Sequence, residues 1–380
     1  MNLNYPHREP LVVRNHELRI IRRFKGGTDV KVRSGERIEP DQVIARVDPN
    51  ALAIRIPIAE QLGVAPQDVA KHLMRPVGSS FTAGEALART RRGLRNVVVA
   101  APVSGVLLSI DATTGVAALV PGSAGEIRSL IPGDVEFIDG REAVSIRTVG
   151  TRLLGIFGFG EPAAGTLSMV VSRPDEEVQA AQITPTLAGK IAVGGSWASA
   201  AALKRLIEVG AAGLVCGGLV EKEIVAGLGL ATEDRLAPWR LTPADRAVGA
   251  AIPSPITLMA TEGFGALPMH PQVFALLQEH DGQDAVLFAV TRVTGQLSRP
   301  ELIVPNAAAL DEDGDTSLAV FVEGAHVRLT DQANLGRPGT IAGPPRQTYR
   351  GDGMVIDVVD VELTGGMVQT VPIANVEIVA

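Results

Sequence analysis

Three glycine-rich segments in the middle of the chain hold the residues best suited to chemistry. They are Gly194-Gly195-Ser196, Gly217-Gly218 and Thr261-Glu262-Gly263-Phe264-Gly265, and each follows a short apolar run. If those runs are parallel strands, the segments meet at the carboxyl edge of one sheet, where open α/β sheets bind ligands and helix N-termini present free amides to anions. The sequence therefore predicts a site for a small anionic or polar ligand, made of Gly194, Gly195, Gly217, Gly218, Thr261, Glu262, Gly263 and Gly265.

Three side chains are the candidates for catalysis at this edge. Glu262 is the only carboxylate within the three segments, Ser196 supplies a hydroxyl, and Arg299 follows the last apolar run. An enzyme built on these loops would use Ser196, Glu262 and Arg299. The alternative is that short connections between strands and helices need glycine for conformational reasons alone, and the sequence favours this alternative because no complete phosphate-binding motif is present.

Ser196 has two interpretations. The segment Gly194–Ala198 approaches the Gly-x-Ser-x-Gly pattern of hydrolases, and Asp245 and His270 follow in the order of a catalytic triad. The last position of the pattern is Ala198 instead of glycine, however, and a serine before an apolar helix is typical of an N-cap. The sequence favours capping by Ser196.

The surrounding pattern alternates between short strands and amphipathic helices. The predicted strands are Lys190–Val193, Gly213–Cys216, Ile256–Met259 and Ala285–Val290, and the predicted helices are Ala198–Val209 and Pro271–Glu279. This alternation is typical of an α/β domain with a mainly parallel sheet, which we expect over residues 151–309. We interpret Thr232–Pro255 as a connection within it and Asn306–Ser317 as a polar linker after it.

The first part of the chain contains a repeated phrase of a strand, a glycine or serine turn and a second strand. The copies are Val32–Arg46 and Val77–Arg89, and Ala101-Pro-Val-Ser-Gly-Val-Leu-Leu-Ser-Ile110 follows them. Each copy ends in an aliphatic-Ala-Arg triplet, as a sheet folded back on itself requires. These segments resemble the biotinyl/lipoyl-like barrel-sandwich hybrid, and the resemblance implies that fold for residues 1–150.

Carrier members of that family hold their prosthetic group on a lysine between the two halves of the fold. Here the intervening stretch has only Lys71, within Val69–Leu73, where the spacing of Val69 and Leu73 predicts a helix. We therefore expect no swinging cofactor, and the sequence assigns no cofactor at all.

The last segment, residues 318–380, returns to a β pattern. Ala325–Leu329 is followed by Leu335-Gly336-Arg-Pro-Gly339-Thr-Ile341, then by Val355–Val359 and Val371–Val379. This order resembles a KOW-type SH3-like barrel, and Gly336 and Gly339 are expected to adopt turn conformations that residues with a Cβ resist. Because the segment is acidic, the sequence favours a protein partner for it over a phosphate backbone.

Charge is distributed unevenly. Residues 1–95 hold 17 Lys and Arg against 10 Asp and Glu, although the whole chain carries a net charge of -7. This imbalance indicates an acidic partner for the first domain, either another molecule or the chain's own acidic part. The densest basic clusters are Arg19, Arg22, Arg23 and Lys25, and Arg89, Arg91, Arg92 and Arg95. The alternative, which the sequence favours, is ordinary solvated surface charge.

Several classes of protein are disfavoured. The single Cys216 excludes an internal disulfide and a cysteine-cluster metal site, and the six histidines lack metal-ligand spacing, so no metal is predicted. No apolar run approaches the length of a membrane span and the first residues lack a signal-peptide pattern. We expect no membrane association and a cytoplasmic location.

These expectations combine into a multidomain α/β plus all-β protein. The first functional hypothesis is a non-enzymatic cytoplasmic adaptor with a protein partner. The alternatives are a nucleic-acid-associated factor acting through the basic N-terminal domain, and an enzyme or small-anion binder that uses the central loops. The sequence does not assign an oligomeric state.

Overall fold

A computed structural model describes most of the chain. The described residues are 10–24, 28–47, 53–82, 84–92, 95–102, 104–121, 125–140, 143–229, 254–289, 292–294, 296–306, 321–331, 334, 336–349 and 354–379. Nearly all of the predicted linker Asn306–Ser317 and of the predicted connection Thr232–Pro255 lies outside them, as does Asp245.

The described residues divide into two units. One is continuous and consists of Arg19–Arg147. The other, here called the discontinuous unit, consists of the described residues before Arg19 and after Arg147. The described parts of 151–309 and 318–380 therefore share one unit, and the three-domain division stays a prediction.

The chain is mostly β-strand. The first strands are β1 (Val12–Arg23), β2 (Thr28–Val30), β3 (Arg37–Ile38), β4 (Val43–Val47), β5 (Ile54–Pro57), β6 (Ser80–Phe81), β7 (Ala86–Arg92), β8 (Arg95–Ala100), β9 (Gly105–Ile110), β10 (Val116–Pro121), β11 (Glu126–Arg128), β12 (Gly133–Asp139) and β13 (Ala143–Leu154). The later strands are β14 (Phe157–Phe159), β15 (Ala163–Met169), β16 (Ile191–Val193), β17 (Gly213–Leu219), β18 (Thr257–Phe264), β19 (Asp284–Phe288), β20 (Arg292–Thr294), β21 (Gln296–Ser298), β22 (Glu301–Pro305), β23 (His326–Leu329), β24 (Pro338–Ile341), β25 (Arg346–Tyr349), β26 (Val355–Leu363), β27 (Met367–Pro372) and β28 (Val376–Ile378).

Short helices connect some of these strands. The α-helices are α1 (Ile58–Leu62), α2 (Val69–His72), α3 (Ala200–Val209), α4 (Glu221–Leu228) and α5 (Pro271–Glu279). Single 3₁₀ turns are formed by Pro66–Asp68, Ala180–Gln182, Pro185–Leu187 and Ile373–Asn375. Among the helices of the described residues, none combines the length and the apolarity that crossing a bilayer would require.

The Arg19–Arg147 unit is built from small antiparallel sheets. Its strand orders are β5-β10-β9-β6, β11-β4-β2 and β7-β8. Alternate residues of these strands, among them Leu107 and Leu119, bury an aliphatic core together with Ile58 and Leu62 of α1. Lys71 lies in α2 as predicted, exposed and ion-paired with Asp68 at 2.7 Å, but the helix ends before Leu73, which is extended.

The discontinuous unit contains a large mixed sheet in the order β14-β18-β17-β16-β15-β19-β22-β13. The β18-β17, β17-β16 and β16-β15 pairings are parallel, and the other pairings along this path are antiparallel. The prediction of a mainly parallel sheet is therefore not confirmed. The parallel strands β16 and β17 are joined through α3, as a crossover connection requires. The antiparallel neighbour of β15 is β19, which lies more than a hundred residues later in the chain.

The same unit contains an antiparallel sheet formed by the last strands. Its order is β25-β26-β24-β23-β28, and the long strand β26 also pairs with β27. Val327, Val359 and Val361 are among the residues of its apolar core. Gly336 has φ +78° and takes the predicted turn conformation, but Gly339 lies within β24, where a Cβ would overlap Val361. The expected turn role of Gly339 is wrong, and close packing explains this glycine instead.

Candidate functional site

The glycine-rich segments occupy different positions from those predicted. Gly194 and Gly195 follow β16 as expected, but Gly217 and Gly218 lie inside β17. Thr261, Glu262 and Gly263 lie inside β18, and Gly265 follows it. The parallel pairing of β17 with β18 continues past a register shift to Gly218 opposite Gly263, so these residues extend the sheet instead of forming loops at its edge.

Close approach of neighbouring backbone explains these glycines. A Cβ on Gly217 would overlap the carbonyl oxygen of Leu267, and one on Gly218 would overlap that of Gly265. A Cβ on Gly195 would overlap the carbonyl oxygens of Arg173 and Glu176. The space beside each glycine is thus filled by the chain itself, which is a structural reason for glycine in these strands.

The amides predicted to bind an anion are already used. Gly217 N donates to Gly195 O at 2.9 Å, and Gly218 N donates to Ser196 O at 2.6 Å. Gly265 N donates to Leu219 O at 2.9 Å. Because a backbone N–H that binds a carbonyl is not free for a ligand, these three amides do not support the predicted anion site.

Ser196 is buried, and its backbone N–H donates to Glu176 O at 2.8 Å. The cap of α3 is Ser199, whose Oγ accepts a hydrogen bond from Ala202 N at 3.2 Å. The prediction that Ser196 caps this helix is therefore wrong by three positions, because the chain turns once more before the helix begins. No hydrogen bond between described residues joins Ser196 to His270.

Glu262 takes part in a buried ion pair that was not anticipated. Its Oε2 accepts a hydrogen bond from Nη1 of Arg328 at 2.6 Å, and the side chains are 0% and 2% exposed. Arg328 Nη1 also donates to the carbonyl oxygen of Thr261. Residues of β18 and β23 are thereby joined, so that Glu262 connects the mixed sheet to the last antiparallel sheet.

Glu377 and Arg299 complete the set, here called the buried charge network: Glu262, Arg299, Arg328 and Glu377. Glu377 Oε2 accepts from Arg328 Nε at 2.8 Å and from Nη2 at 2.6 Å. Glu377 Oε1 accepts from Arg299 Nη1 at 3.1 Å, and Arg299 Nε donates to Gly155 O at 2.7 Å. Two cations and two carboxylates balance, so the network has no net charge.

The pKa directions agree with this pairing. Burial alone would lower the pKa of Arg328, but the carboxylates of Glu262 and Glu377 raise it above its ordinary value. Burial lowers the pKa of Arg299, against the opposing effect of Glu377. Both guanidinium groups start from so high a pKa that they stay protonated at neutral pH. The two predicted catalytic residues, Glu262 and Arg299, thus belong to one network. Glu262 pairs with Arg328, and Arg299 pairs with Glu377.

His270 lies against this network as the N-cap of α5. Its backbone N–H donates to Glu262 Oε1 at 3.1 Å, and its Nδ1 accepts from Gln272 N at 3.2 Å. Burial lowers the pKa of His270, and so does Arg328, while Glu262 raises it. A neutral ring whose Nδ1 accepts must carry its proton on Nε2. Within the described residues, Nε2 of His270 makes no hydrogen bond. The nearby backbone of Val327 nevertheless raises the pKa of the ring, against the larger effect of burial.

An open cleft of about 410 Å³ lies beside the start of α5 in the discontinuous unit. Its lining is polar or small for the most part and comes from α5 and the last antiparallel sheet: His270, Pro271, Gln272, His326, Pro338, Gly339, Thr340, Glu362, Leu363, Thr364, Gly365 and Gly366. Val368 lies directly opposite Glu362 in the β26-β27 pairing and is 56% exposed. Val368 is therefore an exposed apolar neighbour of a lining residue, although it is not itself part of the lining.

Arg328 and Glu377 are the residues of this site that sequence reasoning missed. Each interrupts an apolar strand, in Val327-Arg328-Leu329 and Val376-Glu377-Ile378. Because neighbouring strand residues face opposite sides of a sheet, this alternation is typical of a solvent-facing charge and gives no local signal of burial. The local sequence around Arg328 could not identify its partner, since Glu262 lies 66 residues earlier in the chain.

Other predicted features have simple outcomes. Cys216 is buried within β17, and burial raises the pKa of its thiol to about 12, so it is a small apolar residue of the strand. Among the described residues, no group of three or more His, Cys, Asp or Glu side chains is placed to hold a metal ion.

No protein-family model and no curated protein matches the chain.

Proposed function

We propose that this protein is a non-enzymatic adaptor that binds a protein partner at the cleft beside α5. The observation that carries the proposal is the combination of that cleft of about 410 Å³ with the exposed Val368, which is the cross-strand neighbour of the lining residue Glu362. Protein-binding surfaces combine a few exposed apolar anchors with surrounding hydrogen-bonding groups. Gln272, Thr340 and Thr364 provide such groups around the cleft.

The buried charge network supports this function by fixing the cleft walls. Glu262 receives the His270 N–H from one wall and the Arg328 guanidinium from the strand next to the other. A binding surface whose backbone is held in place before a partner arrives loses less conformational entropy on binding. In this interpretation Glu262 and Arg299 are structural residues.

Paired valine variants test the proposal. Val368 and Val322 are each 56% exposed in the same unit, and neither lines the cleft, but Val368 is the cross-strand neighbour of the lining residue Glu362. The two variants, Val368→Lys and Val322→Lys, would be immobilised beside the unchanged protein and exposed to cell lysate treated with nuclease. Retained proteins would be quantified by mass spectrometry.

We expect at least one protein to be retained by the unchanged chain and by Val322→Lys, and to be lost with Val368→Lys. The lysine adds a charge and length beside Glu362, so a partner that packs against Val368 cannot dock. Identical sets of retained proteins for all three chains would refute the proposal.

A further inference from the structure

The hairpin of β7 and β8 carries a concentration of positive charge that the proposed function does not use. Residues 86–100, here called the arginine hairpin, contain Arg89, Arg91, Arg92 and Arg95 and no Asp or Glu. Within the described residues Arg89 forms no ion pair. Elsewhere in the same unit, exposed arginines such as Arg46 and Arg75 are ion-paired with carboxylates of the unit itself.

The pairing register places the arginines on one exposed face. Arg89 lies opposite Val98, and Arg91 lies opposite Asn96. Directly opposed residues of an antiparallel pair share a face, and all four of these residues are exposed. The outer face of the hairpin is therefore basic and polar, with Val98 as its apolar member.

The opposite face anchors the hairpin. Ala88 and Val99 are fully or nearly fully buried in the core of the Arg19–Arg147 unit, and Leu73 forms a β-bridge with Ala88. The chain on either side is also held, since Ala101 N donates to Glu85 O at 2.8 Å. A fixed ribbon presents its arginines with little loss of backbone freedom on binding.

We infer that the arginine hairpin binds the phosphate backbone of duplex DNA. Residues two apart on a strand are separated by about 6.8 Å. Neighbouring phosphates of one DNA strand rise about 3.4 Å along the helix axis and also turn about it, so that they lie roughly 7 Å apart. Arg89 and Arg91 thus match the spacing of neighbouring phosphates, and the planar guanidinium group binds phosphate through two parallel hydrogen bonds.

The shape of the hairpin selects the duplex form. A two-stranded β-ribbon fits the major groove of B-form DNA, whereas the major groove of A-form RNA is too deep and narrow for side chains to read. Binding to single strands depends on aromatic stacking, and residues 86–100 contain no aromatic residue. Double-stranded DNA is therefore the partner that fits best.

The test measures binding of the full chain to a fluorescently labelled DNA duplex of about two helical turns, by anisotropy over salt concentrations from about 50 to 200 mM. The double variant Arg89→Gln/Arg91→Gln removes two exposed arginines from the hairpin. The matched control, Arg46→Gln/Arg128→Gln, removes two exposed arginines that pair with Glu126 in the same unit. Both variants change the net charge equally.

We expect the unchanged chain to bind the duplex with an affinity that falls as salt rises. Each lost phosphate contact lowers the slope of log affinity against log salt by about 0.9. The hairpin variant should therefore lose about 2 units of slope and about 10- to 100-fold in affinity near 0.1 M salt, while the control variant keeps the slope of the unchanged chain.

Three results would overturn the inference. They are the absence of duplex binding at about 50 mM salt, an equal loss with both variants, and equal or tighter binding of single-stranded DNA or polyglutamate. The last result would indicate an acidic partner of another class. Val368→Lys, which lies in the other unit, should leave DNA binding unchanged, so the outcome is separate from that of the adaptor proposal.

Discussion

Ion pairs of the same chemical type have opposite settings in the two units. Arg46 and Glu126 of the Arg19–Arg147 unit meet at 3.0 Å with both side chains exposed to water. Arg328 and Glu262 of the discontinuous unit meet at 2.6 Å with both side chains buried. Exposed pairs contribute little to stability, whereas removing one partner of a buried pair leaves an uncompensated charge in a medium that solvates it poorly.

The sequence alone cannot distinguish residues of a buried ion network, such as Glu262 and Arg299, from catalytic residues. A carboxylate next to glycines and an arginine after a strand are typical of active sites, but the same residues are also needed wherever two sheets are joined through a buried ion network. Burial and pairing separate the two cases, and here both charges form ion pairs within the protein.

The largest expected effect comes from Arg328→Met. The variant keeps an unbranched side chain but leaves Glu262 buried without its cation, and we expect the free energy of unfolding to fall by about 3–5 kcal/mol. Denaturant unfolding followed by Trp fluorescence measures it, because Trp197 and Trp239 both lie outside residues 19–147. A loss below about 1 kcal/mol would show that the buried pair behaves like an exposed one.

Glu262→Gln should have a smaller effect. The amide oxygen can still accept the His270 N–H, and Arg328 keeps its bonds to Glu377, so we expect a loss of about 1–3 kcal/mol. Combining this change with Arg328→Met in a double-mutant cycle should give a combined loss clearly smaller than the sum of the two single losses. Additive losses would contradict a direct interaction between the two side chains.

The buried His270 should make the stability of the discontinuous unit depend on pH. Because burial lowers its pKa, the unfolded chain takes up a proton more readily than the folded chain. The free energy of unfolding should therefore decrease as pH falls through and below the ordinary histidine value of about 6.5. In His270→Asn, whose side chain can still cap α5, the decrease between about pH 7.5 and 5.5 should be shallower. An unchanged pH profile would exclude His270 as its source.

The smallest effect is expected for Arg46→Gln. Its partner Glu126 stays solvated when the guanidinium is removed, so the free energy of unfolding of the Arg19–Arg147 unit should change by less than about 1 kcal/mol. Thermal unfolding followed by circular dichroism, compared with the unchanged chain, measures this. A loss as large as that of Glu262→Gln would remove the distinction between the two units.

Local signals predicted several elements of the fold well. The helix Pro271–Glu279 was expected with those bounds and is confirmed, because Pro271 suits the first helical turn and Val273, Leu276 and Leu277 share a buried face. The strands within Lys190–Val193 and Ala285–Val290 are confirmed to within one or two residues. In each case the deciding information lies within a few residues of the element.

Features that depend on distant chain segments could not be read in the same way. Gly217 and Gly218 look like loop residues, but they are glycines because Leu267 and Gly265 pass directly beside them. The direction of β15 relative to β19 depends on a pairing across more than a hundred residues. Arg328 likewise meets Glu262 only because two sheets pack together, so the buried charge network could be identified only in the folded structure.

The pairing of early with late residues has a consequence for biosynthesis. Leu11 N donates to Ile378 O at 3.0 Å and Val12 N to Val379 O at 2.9 Å, so the backbone of Leu11 and Val12 finds these acceptors only when translation has reached the last strand. Because Arg19–Arg147 is continuous and domains generally fold as units during synthesis, we expect it to fold while the remainder is still being made on the ribosome. We therefore expect nascent chains that have not reached Ile378 and Val379 to contain a folded Arg19–Arg147 unit and a second unit that lacks these two backbone acceptors.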